Sequence, residues 1–216
     1  MTTCEIIDLV AIETTPVQLT PFPYSIIGNV LSERFLANVQ QDFPAIEDAG
    51  SFPLASVRYG AAFAKLIDEL HSDAFRQVIA EKFAIDLADK PVMITVRGKA
   101  DHKDGRIHTD SKSKLITVLL YLNDEWSADE GRLRLLYDQH DLDHYAAEVP
   151  PTAGTMLLFK VAENGWHGHK TFIGARKVLQ MNYVTNETVL NKHAARHRFS
   201  AKFKAWRRRF FGKNTS

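Results

Sequence analysis

The residue types best suited to chemistry lie between positions 106 and 176. That stretch opens on His108-Thr109-Asp110 and closes on Trp166-His167-Gly168-His169, with Arg176 nine residues beyond His167. Two imidazoles and one carboxylate are the donor set that holds a non-haem Fe(II) on one face and leaves other positions free for reaction. The His-x-Asp spacing suits an extended strand. Residues two apart there point to one side, so His108 and Asp110 can face one metal while Thr109 faces away. The third ligand has to come from a distant segment, and His167 or His169 can supply it. Arg176 falls within an apolar strand pattern, where a guanidinium is costly unless it meets an anion.

The elements that must position these groups are legible as periodicities. Residues 92–96 are a β-branched run, and residues 115–122 are almost continuously apolar, as expected of a strand buried on both faces. Residues 132–137, 154–159 and 177–184 read as further strands. Short strands broken by Asp, Asn, Gly and Pro, with helices only upstream, predict an antiparallel sandwich or barrel. Upstream, residues 24–27 read as a strand. Ser32 is placed to cap a helix over 33–41 with Phe35, Leu36 and Val39 on its apolar side. Phe63, Leu66, Ile67 and Leu70 recur at helical spacing. A restart at Ser72 or Asp73 predicts a second helix buried through Phe75, Val78, Ile79 and Phe83. Residues 1–15 are expected to be a short strand or a loose arm. The fold class is therefore α+β, a mainly β core with an α layer. One domain is expected over residues 1–190, with its helical layer at 30–90 and its β core at 91–185.

Composition agrees with a globular protein: 216 residues, 45% hydrophobic and 25% charged. The net charge of +1 is unevenly spread, because residues 192–216 hold nine Lys or Arg and no acid, which leaves −8 on residues 1–191. The single cysteine, Cys4, excludes an internal disulfide and fits a reducing compartment. The first residues lack a basic, apolar leader, and no apolar run reaches the ~18 residues of a membrane span. The cytoplasm is the expected location.

An ordered set of residues carries more than any one of them. His108-Thr-Asp110 is followed by Thr117, Tyr121-Leu122-Asn123, Trp126, Glu130-Gly131, Leu133, Leu135, Gly154, Phe159, Trp166-His167 and Arg176. Over about residues 92–185 this resembles the 2-oxoglutarate- and Fe(II)-dependent oxygenases of the prolyl-4-hydroxylase-like group. The resemblance implies a double-stranded β-helix, or jelly-roll, core flanked by N-terminal helices. It implies iron ligands His108, Asp110 and His167, the nine-residue distance to Arg176 favouring His167 over His169. It implies that Arg176 and Tyr121 hold the far carboxylate of 2-oxoglutarate and that Leu133 forms an apolar wall. The implied cofactors are Fe(II), 2-oxoglutarate and O2, with ascorbate a compatible reductant. The implied reaction is hydroxylation of a C–H bond of a substrate not named by the sequence, with release of succinate and CO2. Two positions depart from the family pattern: residues 97–102 lack the usual Tyr, and Glu130-Gly131 stands where Gly-Gly is common. Both point away from a prolyl-peptide substrate and leave the metal chemistry intact.

Other groups have two readings each. His169 is a contact to metal or substrate. His140 and His144, beside Asp141 and Asp143, are a solvated loop before they are a second metal site. Lys112, Lys114, Arg132 and Arg134 line the entrance or are ordinary surface charge, and Asp101 and His102 form a lid or a polar loop. Phe199, Phe203, Trp206 and Phe210 share one helical face among basic residues. This basic amphipathic C-terminal helix, residues 191–216, suits self-packing or a homodimer first, a membrane surface through residues 192–213 second, and nucleic acid least. The alternative to an enzyme is a non-catalytic jelly-roll module that works through this tail.

Overall fold

The structure, a computed structural model, describes residues 4–189. Two antiparallel sheets form the core. The larger has six strands in the order β1 (Tyr24–Ile27), β7 (Met156–Lys160), β4 (Lys114–Tyr121), β9 (Gly174–Val184), β3 (Val92–Ala100) and β2 (Phe52–Pro53). The smaller has three, in the order β6 (Tyr145–Val149), β5 (Leu133–Leu136) and β8 (His167–Gly168). The four segments expected from 92 onward on the large sheet and β5 on the small one all form strands. The short strands β2, β6 and β8 carry too little periodicity to be read from sequence.

Strand β4 shows why its sequence looks apolar throughout. Ile116, Val118 and Leu120 face the helices, while Thr117, Leu119 and Tyr121 face the smaller sheet. The large sheet is thus covered on both sides. Its helix-side face packs on α3 (Ala61–His71) and α4 (Asp73–Lys82) through Phe63, Leu66, Leu70, Phe75 and Ile79, all fully buried. Burial of side chains of this size contributes roughly 1.5–3 kcal/mol each. The other face meets β5 and β6 through Tyr121, Leu133, Leu135, Val149, Leu157, Phe159 and Val178. This second, smaller core leaves one end of the sandwich free to hold polar groups.

Helix α2 spans Glu33–Gln41 as expected. Ser32 occupies its cap position but makes no side-chain cap bond there, whereas Ser72 does cap α4 by accepting from the Phe75 amide at 3.1 Å. The N-terminal segment corrects the expectation of a strand or loose arm, because α1 (Leu9–Thr14) is a helix capped by Asp8. Two interactions invisible in local sequence fix it. The Glu69 carboxylate accepts from the amides of Glu5, Ile6 and Ile7, and Ile6, Ile7 and Ile12 are buried. The basic segment at 191–216 lies outside the described residues. Among the described residues no helix is long and apolar enough to cross a membrane.

Candidate active site

A reciprocal backbone bridge brings the two halves of the site together. The His108 amide donates to the His167 carbonyl and the His167 amide to the His108 carbonyl, both at 3.0 Å. The bridge continues the edge of β8, so two segments nearly sixty residues apart present their side chains side by side. One ligand atom from each of His108, Asp110 and His167 lies within 4.8 Å of the other two. His169 is outside this group, although it lines the same cavity. Among the described residues no other set of three such side chains converges. His144 instead pairs with Asp138 at 2.6 Å on the surface.

Hydrogen bonds prepare these side chains for a cation. His108 Nδ1 lies 2.9 Å from the Arg106 carbonyl and His167 Nδ1 2.9 Å from the Gly165 carbonyl. A carbonyl only accepts, so each Nδ1 carries the proton and each Nε2 keeps a free lone pair. Burial, reinforced by the nearby His108, pushes His167 down to about 4, so it is neutral at physiological pH. Asp110 accepts from Lys114 Nζ at 2.7 Å and from Thr117 Oγ1 at 2.5 Å. Burial alone would raise its carboxyl, but Lys114, His167 and Thr117 together hold it below the usual carboxylate range. Thr117 is itself fixed by Asn182 Nδ2 at 2.8 Å. Two imidazoles and one ionised carboxylate suit Fe(II).

The cavity behind this triad has a volume of about 150 Å³. Leu119, Leu133, Phe159 and Val178 line its apolar part, and Arg176 closes it. Arg176 is 5% exposed. Its Nε donates to the Gly131 carbonyl at 2.9 Å, and its Nη2 lies 3.4 Å from the Tyr121 hydroxyl. No carboxylate among the described residues pairs with it. Tyr121 is fully buried, and burial raises its phenol, so the hydroxyl stays protonated and can donate. Gly131, at φ +78°, cannot be replaced freely, since a Cβ there would come within 2.7 Å of Trp126 and 2.9 Å of Phe172. The glycine lets the backbone turn its carbonyl toward Arg176.

The basic residues weighed as an entrance are used up elsewhere. Lys114 bonds Asp110, and Lys112 pairs with Glu163. Arg132 and Arg134 both pair with Glu148. Arg134 is buried, despite the polar–apolar alternation that placed it outside, because Glu148, Asp143 and the Tyr145 ring cover it. Sequence reasoning missed Arg97, Asp104 and Gln180 in the cavity wall. The signal for Gln180 was its inward register, two and four residues along β9 from Val178 and Arg176. Asp104 had no signal, since it comes from an irregular loop.

A jelly-roll core with two histidines and one carboxylate at its mouth, and a buried arginine behind them, is an arrangement suited to a non-haem Fe(II) centre beside an anionic ligand. Residues 94–184 match the family model of the 2OG-Fe(II) oxygenase superfamily. The family implies Fe(II), 2-oxoglutarate and O2. The fold is similar to that of a Pseudomonas putida prolyl-4-hydroxylase, with a TM-score of 0.55 at 18% identity over 86% of this chain and 96% of that one. It is also similar to an oxidoreductase of the 2OG-Fe(II) oxygenase family from Burkholderia pseudomallei, with a TM-score of 0.53 at 12% identity over 85% of this chain and 93% of that one. A Phytophthora capsici prolyl 4-hydroxylase gives 0.52 at 16% identity, over 87% and 68% of the two chains. At these identities the likeness speaks for the fold. No curated protein matches the sequence significantly.

Proposed function

We propose that this protein is a 2-oxoglutarate-dependent hydroxylase in which His108, Asp110 and His167 hold Fe(II). Arg176 and Tyr121 hold the far carboxylate of 2-oxoglutarate, and Leu133 walls its methylene chain. Bound iron and 2-oxoglutarate supply O2 activation coupled to oxidative decarboxylation, giving succinate and CO2 as a substrate C–H bond is hydroxylated. The chain's residues do the rest. The paired Nδ1–H contacts aim two imidazoles at one point, and Lys114 and Thr117 fix the carboxylate between them. The apolar wall keeps water from the co-substrate, and the planar guanidinium fork matches a carboxylate in two-point contact.

The observation that carries this reading is Arg176. A guanidinium 5% exposed and without a carboxylate partner among the described residues requires an anion for compensation. It shares a small cavity with a metal-type triad, which is the arrangement a chelating diacid needs. The test is succinate release from 2-oxoglutarate by the purified protein with Fe(II) under air. Turnover should be measurable without a prime substrate and absent in His108→Ala. Equal turnover in that variant would remove the reading.

A further inference from the structure

We infer that Arg97, Asp104 and His169 form the subsite for the prime substrate, and that this substrate is a small carboxylic acid with a hydrogen-bond donor on the neighbouring carbon. This inference rests on the oxygenase reading above. All three side chains line the same cavity as the triad and Arg176. Arg97 lies on β3 directly opposite Val178 of β9, so it faces the site beside the strand that carries Arg176. Asp104 and Gly105 belong to the loop over the mouth. Gly105, at φ +89°, approaches His169 so closely that a Cβ would fall 2.3 Å from the His169 carbonyl oxygen and 2.6 Å from its Nδ1.

The chemistry of the three groups is unfinished. Arg97 Nη1 lies 2.6 Å from Asp104 Oδ1, yet this buried nitrogen has no aligned hydrogen-bond acceptor. The pair is Coulombic contact without good N–H geometry. Nη1, buried and without a hydrogen-bond partner in the cavity wall, is the atom left for an anion. His169 Nδ1 is engaged by the Lys170 carbonyl at 2.8 Å. That leaves Nε2 as an acceptor, in a cavity also lined by Arg97, Arg176 and Asp104. A donor on the substrate would satisfy it, and the Asp104 carboxylate beside it can share an ammonium.

Charge and size narrow the class. Arg97, Arg176 and Lys114 stand against Asp104 and Asp110, and the two charges of Fe(II) match the two of 2-oxoglutarate. One positive charge is left over, which a single carboxylate neutralises and a phosphate dianion overshoots. The cavity of about 150 Å³ is below the roughly 300 Å³ of pockets that enclose drug-sized ligands. With the co-substrate inside, only a head group fits at the mouth. A 2-hydroxy acid meets both demands; a 2-amino acid, a zwitterion at neutral pH, meets the contacts to Arg97, His169 and Asp104 but leaves the extra positive charge in place.

The test is direct binding to the Zn(II)-loaded protein saturated with 2-oxoglutarate, read by saturation-transfer NMR and calorimetry. The probes are pooled L-amino acids, pooled 2-hydroxy acids, the primary amides of both, and inorganic phosphate. At least one acid should bind, with its amide at least tenfold weaker and phosphate not competing. The Arg97→Gln/Asp104→Asn double variant removes the ion pair without stranding a charge. It should lose at least tenfold for that acid while its 2-oxoglutarate Kd stays within threefold. Arg97→Lys should recover part of the loss. Absence of binding by every acid, amides that bind equally, or competition by phosphate would overturn the inference. So would a tenfold rise in the 2-oxoglutarate Kd, which would assign Arg97 to the co-substrate. If the double variant does not fold, the acid-against-amide comparison on the wild type decides. Failure of the wild type to bind 2-oxoglutarate would sink the oxygenase reading itself and is seen before any acid is added.

Discussion

Replacing Arg176 by Met tests the arrangement at its most exposed point of logic. The guanidinium makes one bond to the Gly131 carbonyl and a 3.4 Å contact to the Tyr121 hydroxyl, and no carboxylate among the described residues balances it. Removing one partner of a buried charge pair costs about 2–5 kcal/mol of binding. At 1.4 kcal/mol per tenfold, about 3 kcal/mol corresponds to roughly a 100-fold loss of 2-oxoglutarate affinity. Stability should respond differently. The Gly131 carbonyl loses its donor, at about 1–3 kcal/mol, but the cost of burying an unpaired cation disappears with the side chain. The two effects offset, so the melting temperature of the ligand-free protein should stay close to the wild type. Arg176→Lys keeps the charge and loses the two-point fork, so its affinity should fall between the two. The assay is calorimetric titration of 2-oxoglutarate into Zn(II)-loaded protein, with thermal melts alongside. If Arg176→Met binds 2-oxoglutarate within threefold of the wild type while still binding metal, the guanidinium is not the anion anchor and the reasoning is wrong.

Three further outcomes are expected. Thr117→Val removes a donor to Asp110 and an acceptor for Asn182; metal affinity should fall about 10–100-fold, seen by Co(II) titration of the visible spectrum, and an unchanged titration would show that Asp110 needs no such support. The metal-free protein should lose stability as the pH falls from about 6.5 toward 4. His167 and His169 are each held down to about 4 by burial, so the unfolded chain takes up protons that the folded chain refuses. The loss should be on the order of 3 kcal/mol for each histidine across that window, and equal urea midpoints at pH 7.5 and 5 would contradict it. Leu133→Asp places a carboxylate in the apolar wall beside Leu119 and Val178. It should abolish 2-oxoglutarate binding with metal binding retained, and a preserved Kd would move the co-substrate elsewhere.

Much of this was legible in the chain. The period of α3 and the continuous apolar run of β4 follow from a sheet covered on both faces, because alternation vanishes when neither side meets water. The residue types of the triad and the isolated Arg176 announced a metal and an anion, since a charge in an apolar strand needs a partner whatever the fold. What sequence left open was decided by contacts distant along the chain. The distance to Arg176 favoured His167 over His169, and the reciprocal bridge with His108 is the long-range contact that gathers His167, not His169, with His108 and Asp110. Glu69 turned the N-terminal segment into a capped helix by gathering three amides from more than sixty residues away. Arg134, weighed as an entrance group or a surface charge, became an internal partner because Glu148 of β6 reaches it, whereas Lys114 found its partner only four residues away, in Asp110. Local sequence sets backbone preference and the kind of chemistry. Which lone pairs meet, and which charge is left without a partner, depends on where the sheets bring separate strands together.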